Sequence, residues 1–197
     1  MKKKKKQITA AELMAELQSD PKYVAARRAE EEARSLRAAE LRRSERPLIE
    51  DLGAVGIQVR SVWDLVNLSV DFDQALPVLL DHLNREYPEA ITDGIARALA
   101  VPESIRWWRV LVDKYRVEER RRAKGGLAVA ISACANESVL TEVIELVRDV
   151  RHGGSRVLLL DAIAKSPDSR ARAALEELAT DPDLSKEIRR LRRNLGY

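Results

Sequence analysis

A 32-residue period runs through the C-terminal two-thirds of the chain and constrains its fold more than any other feature. Stepping by 32 gives Ile95, Leu127, Leu159 and Leu191, then Leu99, Ile131, Ile163 and Leu195, then Leu79, Leu111, Val143 and Leu175. All twelve are aliphatic. In a chain that is 45% apolar, chance gives that agreement about once in ten thousand trials. A period of this length predicts stacked pairs of helices, each too small to bury its own apolar side and each covering its neighbour.

Composition agrees with that reading. Among 197 residues there are 8 Gly and 7 Pro, aromatics make up 4%, and Ala, Leu, Arg and Glu dominate. Such a chain favours helix strongly and strand hardly at all. The single cysteine, Cys134, excludes an internal disulfide and a cysteine-built zinc site and points to a reducing compartment. No apolar run is long enough to span a membrane. Lys2–Lys6 are not followed by the apolar stretch of a secretory signal. A soluble cytoplasmic protein is expected. The net charge of +3 misleads if taken as uniform. Residues 1–46 hold 13 basic and 8 acidic residues, and the remainder 22 basic and 24 acidic. The C-terminal body is close to neutral, which is poor footing for binding a phosphate backbone.

Along the chain, residues 1–7 read as a disordered basic tail. Residues 8–46 read as a charged helical extension. In it, Thr9 and Glu12 make a capping box for a short helix that ends near Asp20-Pro21. Val24, Leu36 and Leu41 are the only larger aliphatics between Lys22 and Arg46, too few for an apolar stripe. A long, mostly solvated helix is expected there, held by i,i+4 charge pairs. Pro47 is expected to open a repeat domain over 47–197, in which 47–69 form an imperfect capping pair and 70–197 form four 32-residue units.

In the first unit, helix A carries Leu76, Leu79, Leu80 and Leu83, and helix B opens with Pro88 as its first residue. Trp108, Leu111, Val112 and Tyr115, and then Leu140, Val143, Ile144 and Val147, repeat the i, i+3, i+4, i+7 face. Asp168 and Asp181-Pro182 are start signals for the last two helices. In the fourth unit Arg172 and Glu176 replace the aliphatics, as a terminal cap with a polar outer face requires.

The segments DSRARAALEELATDPDLSKEIRRL and DGIARALAVPE resemble the short HEAT-like repeats of bacterial proteins, over roughly residues 70–197. The tetratricopeptide period of 34 and its signature positions are absent. The resemblance implies an all-α fold: a right-handed α-solenoid of about four to five two-helix repeats preceded by the long charged helix. It implies A helices on the convex side and B helices on the concave side. It does not imply one activity.

No glycine-rich phosphate loop or nucleophile elbow is present. His82 and His152 stand in no metal-ligand spacing, and both they and Cys134 read as packing residues. No residue pattern points to a cofactor. Candidates for partner contact are Trp107, beside the core position of Trp108, and the basic residues at the starts of B helices: Arg121, Arg122, Lys124, Arg156, Lys186, Arg189 and Arg190. Arg151 and His152 join them in the loop from Arg148 to Arg156, where Gly153, Gly154 and Ser155 either turn the chain and cap a helix or offer backbone N–H groups to an anion. The expected function is a non-enzymatic scaffold or adaptor that binds another protein through its concave face and loops. A nucleic-acid-binding module using the lysine tail and the basic ridge is the alternative. A lyase-like accessory role, known among HEAT-like proteins, is a further one.

Overall fold

A computed structural model describes residues 9–67 and 73–195. Among these residues all regular structure is helical and none is strand. The lysine tail, the last residues of the expected 47–69 capping pair and the end of the chain lie outside the described residues. The chain divides into two compact units at residues 43/44.

In the first unit, α1 (Ala10–Ser19) begins at the capping box: the Thr9 side chain accepts from the Glu12 N–H, and the Thr9 N–H donates to Glu12 Oε2 at 2.9 Å. Asp20 is extended and ends the helix. It also starts the next, its carboxylate accepting the Lys22 N–H at 2.9 Å. From there α2 (Pro21–Ala54) runs without interruption. Its charged stretch is almost wholly exposed, Leu36 included. The Glu30–Arg34 ion pair is exposed on both sides and worth a few tenths of a kcal/mol. The expected break at Pro47 is absent. Pro47 removes one N–H that would have bonded to the carbonyl of Arg43, and both residues are exposed, so water takes the freed carbonyl.

The second unit opens with the end of α2, where Leu48 and Leu52 are fully buried. The turn after Ala54 uses Gly56 at φ 89°, a conformation that favours glycine. The buried Glu45 carboxylate then accepts from Ser61 Oγ at 2.9 Å and from the Val62 N–H at 2.7 Å. It thereby satisfies the start of α3 (Val62–Asn67).

Four helix pairs follow: α4 (Ala75–Leu83) with α5 (Glu89–Ala98), α6 (Trp108–Val117) with α7 (Arg121–Cys134), α8 (Leu140–Arg148) with α9 (Arg156–Lys165), and α10 (Ser169–Leu178) with α11 (Ser185–Leu195). Each first helix packs on its own second helix, and the second helices pack in sequence, α3 on α5, α5 on α7, α7 on α9 and α9 on α11. The period is the cause. Eleven of the twelve periodic aliphatics are no more than 7% exposed; the twelfth, Leu195, has a side chain outside the described set. Burying each such side chain is worth about 1.5–3 kcal/mol. Arg172 and Glu176, where the pattern turns polar, are exposed.

Local starts differ in detail from expectation. Pro88 stands just before α5 as its cap and Glu89 is the first helical residue. Short 3-10 turns over Pro102–Trp107, Glu137–Val139 and Val150–Ser155 lead into α6, α8 and α9. Asn136, Asp149 and Asp168 accept backbone N–H groups at their helix starts. Between pairs, Glu142 of α8 accepts from Trp108 Nε1 at 2.6 Å and from Arg116 at 2.9 Å, tying α6 to α8. No helix among the described residues is long and apolar enough to cross a membrane.

Candidate partner-binding groove

The connection from α6 to α7 and the longer one from α8 to α9 stand on either side of an open groove of about 1400 Å³. That volume exceeds the roughly 300–1,000 Å³ of small-molecule sites. Four of the predicted contact residues, Arg121, Lys124, Arg151 and His152, line it. Glu118, Glu119, Glu145 and Asp149 line it too, as do Val117 and Leu158, both exposed.

The floor is a packed polar cluster. Lys124 donates from Nζ to the Glu118 carbonyl at 3.0 Å and stands 5.0 Å over the Tyr115 ring; burial lowers its pKa. Ser155 Oγ donates to the His152 carbonyl at 2.7 Å, which leaves it as acceptor for the Tyr115 hydroxyl at 2.8 Å. Burial pushes the Tyr115 phenol up to about 12. The His152 ring lies 4.6 Å from the Tyr115 ring and is buried, its Nδ1 without a hydrogen-bond partner among the described residues. Burial and the Lys124 cation lower its pKa, keeping the ring neutral at pH 7. Sequence reasoning offered His152 as a contact residue; with 8% of its surface exposed it shapes the floor instead.

Charges on the walls are largely answered from within. Asp149 accepts the Arg151 backbone N–H at 3.0 Å and its guanidinium at 2.7 Å, which holds the carboxyl well below the usual range. Glu118 is held down in the same way by Arg120, at 2.7 Å. Arg116 turns to Glu142 at 2.9 Å. Arg121, Glu119 and Glu145 make no ion pair among the described residues. The groove therefore presents both signs of charge in equal number, beside aliphatic surface.

The remaining candidates are elsewhere. Arg156 is corrected outright: it is 1% exposed. Its guanidinium donates to Asp181 at 2.7 Å, to Asp183 at 3.3 Å and to the Val147 and Gly153 carbonyls at 3.2 Å. It ties α9 to the turn before α11 and is closed to a partner. Gly153, at φ 57°, turns the chain, and Ser155 makes no cap hydrogen bond to α9. Arg122 lies 3.7 Å from Asp93 and its N–H donates to Glu89 at 2.6 Å. It lines a shallower hollow with Trp63 and Arg97. Lys186, Arg189 and Arg190 are exposed on α11, where Arg190 pairs with Glu187. Trp107 is half-buried under the Arg106 guanidinium at 4.8 Å, away from the groove.

The acidic and aliphatic groove residues were not among the sequence candidates. The signal that could have found Val117 and Leu158 is a break in register: each is a large apolar residue off the buried face of its helix. Among the described residues no cluster of three or more His, Cys, Asp or Glu is placed to hold a metal ion. Comparison with family models, with curated proteins and with solved structures finds no match to this chain.

Proposed function

We propose that the chain is a HEAT-like repeat protein, a right-handed α-solenoid of about four to five two-helix units, acting as a non-enzymatic adaptor for another protein. The observation that carries this is the groove between the α6–α7 and α8–α9 connections, larger than a small-molecule site and lined by balanced charge and exposed aliphatics. Protein interfaces combine an apolar centre with a polar rim in this way. A phosphate backbone needs an excess of cations, and here every basic wall residue is matched by an acidic one. An extended or helical segment suits the groove, with an aliphatic side chain set against Val117 and Leu158, an acidic group at Arg121 and basic groups at Glu119 and Glu145.

The test is selection of a displayed random peptide library on the full chain, followed by binding of the enriched peptides to Leu158→Glu and Arg121→Glu variants. Peptides whose binding weakens at least tenfold in both variants support the groove. Peptides that bind the variants and the native chain equally remove it. A random-sequence oligonucleotide is run in parallel: binding that falls steeply with salt transfers the function to nucleic acid.

A further inference from the structure

A second constellation lies one helix pair toward the N-terminus, built from residues 31 and 5 positions apart. Asp51 comes from the end of α2, His82 from α4, and Tyr87 from the segment before α5. The His82 ring is fully buried, with Nε2 at 2.8 Å from Asp51 Oδ2 and Nδ1 at 2.6 Å from the Tyr87 hydroxyl.

The proton positions follow from the partners. The bond from His82 holds the Asp51 carboxyl below its ordinary value, so Asp51 is ionised at neutral pH and only accepts. In its neutral form His82 therefore carries its hydrogen on Nε2, and Nδ1 is left as a bare acceptor. The Tyr87 O–H donates to it. A hydroxyl in contact with a base, the base oriented by a carboxylate on its far side, is the arrangement that activates a nucleophile. Burial raises the pKa of Tyr87, so the phenol does not ionise unaided at neutral pH and its proton leaves only to a base already touching it. The main chain is fixed as well, since the Tyr87 carbonyl accepts from Arg120 at 2.9 Å.

Tyr87 lines a separate cavity of about 500 Å³, within the range of small-molecule sites. Lys114 lines it too and has no ion pair among the described residues. A cation is what a developing oxyanion requires.

We infer that Tyr87 is a covalent modification site, a nucleophile that takes an acyl group from a small activated acyl donor, with His82 as its general base and Asp51 as the positioning residue. Tyr87 Oη attacks the donor carbonyl carbon and forms the new C–O bond. The phenolic proton passes to His82 Nδ1, the bond from the carbonyl carbon to the leaving group breaks, and the proton is returned to the departing group. The products are an aryl ester on Tyr87 and the protonated leaving group. No oxidation occurs.

N-acetylimidazole is the probe, with imidazole as leaving group and peptide mass spectrometry as readout. In the full native chain the acetylation rate of Tyr87 is compared with that of Tyr23, which is half-exposed on α2 and makes no side-chain hydrogen bond among the described residues. Tyr87 is expected to react at least tenfold faster. The ratio should fall to one or below in His82→Gln, with the helical circular dichroism retained. Asp51→Asn should lower it severalfold and Asp51→Glu restore part of the loss, which a purely structural role would not do. Asp51 is half-exposed, so its variants decide the matter if His82→Gln does not fold. A native Tyr87 that reacts no faster than Tyr23, or a ratio unchanged in folded Asp51→Asn, overturns the inference.

Discussion

Two adjacent glycines in α7 should respond to the same substitution with opposite signs. In a helix interior, alanine is ordinarily more stable than glycine by about 0.8–1.0 kcal/mol. At Gly125 a Cβ meets only Leu158 Cδ1, at 3.6 Å, an ordinary contact. Gly125→Ala should therefore collect most of that gain, about 0.5–1 kcal/mol. At Gly126 a Cβ lands 2.7 Å from Asp93 Oδ1, 2.8 Å from the Asp93 carbonyl oxygen and 3.1 Å from Ala96 Cβ. The carboxylate can turn only by giving up its 2.8 Å bond to Arg97, and the carbonyl can move only with α5. Overpacking of this kind costs about 1–3 kcal/mol, and contact with backbone places Gly126→Ala in the upper half of that range. After the propensity gain, a net loss of about 1–2 kcal/mol remains. Urea unfolding followed by circular dichroism at 222 nm reads both variants against the native chain. Midpoints moving in the same direction, or a stabilised Gly126→Ala, would refute the close approach of α5 and α7 on which the helix stacking rests.

Arg156→Ala strands the Asp181 carboxylate, the buried Val147 carbonyl and the half-buried Gly153 carbonyl, and should cost about 2–4 kcal/mol in the same assay, since breaking one side of a buried pair is expensive. Arg156 holds the Asp181 carboxyl below its unfolded value of 3.8. That contribution is complete above about pH 4 and lost as pH falls through the lowered value, so Asp181→Asn should flatten the acid limb of a stability–pH curve below pH 4. Burial pushes the Cys134 thiol up to about 12, so iodoacetamide at pH 8 should label it only in denaturant; prompt labelling of the native chain would contradict its burial. Tyr115, raised to about 12 from 10.0, keeps its proton in the folded state between those values while the unfolded chain loses it. Stability should therefore fall as pH rises from 10 to 12, and Tyr115→Phe should remove that slope.

The helix pairs were legible because their cause is periodic. Ile95, Leu127 and Leu159 repeat at a fixed step, and each is buried against the next second helix. The capping box at Thr9 and the cap at Asp168 were legible because caps are local chemistry within a few residues. Pro47 misled because its effect depends on what surrounds the Arg43 carbonyl, which only the folded chain reveals. The basic ridge was legible in part. Register brought Arg121 and Lys124 to one edge, but it equated Lys124 with Arg156 without showing that Asp181 and Asp183 draw Arg156 inward. Nothing in the spacing of Asp51, His82 and Tyr87 announces their meeting, because both contacts, Asp51 to His82 and His82 to Tyr87, cross between elements that no period relates.

The groove itself has a cause in one column of the repeat. Gly94, Gly126, Leu158 and Arg190 are equivalent by the 32-residue step. Gly94 lies against Val62 and Trp63 of α3, and Gly126 against Asp93 and Ala96 of α5. At both levels the missing side chain lets one second helix settle onto the preceding one. In α9 the same position holds Leu158, which reaches back to Gly125 and is exposed. A leucine cannot be accommodated where a Cβ already clashes, so α9 meets α7 less closely than α7 meets α5. The connections that precede these helices part at that level, and Leu158 becomes a wall of the space between them. One residue type in one register position thus separates a tightly packed step of the helix pairs from an open one, and the open one carries the groove.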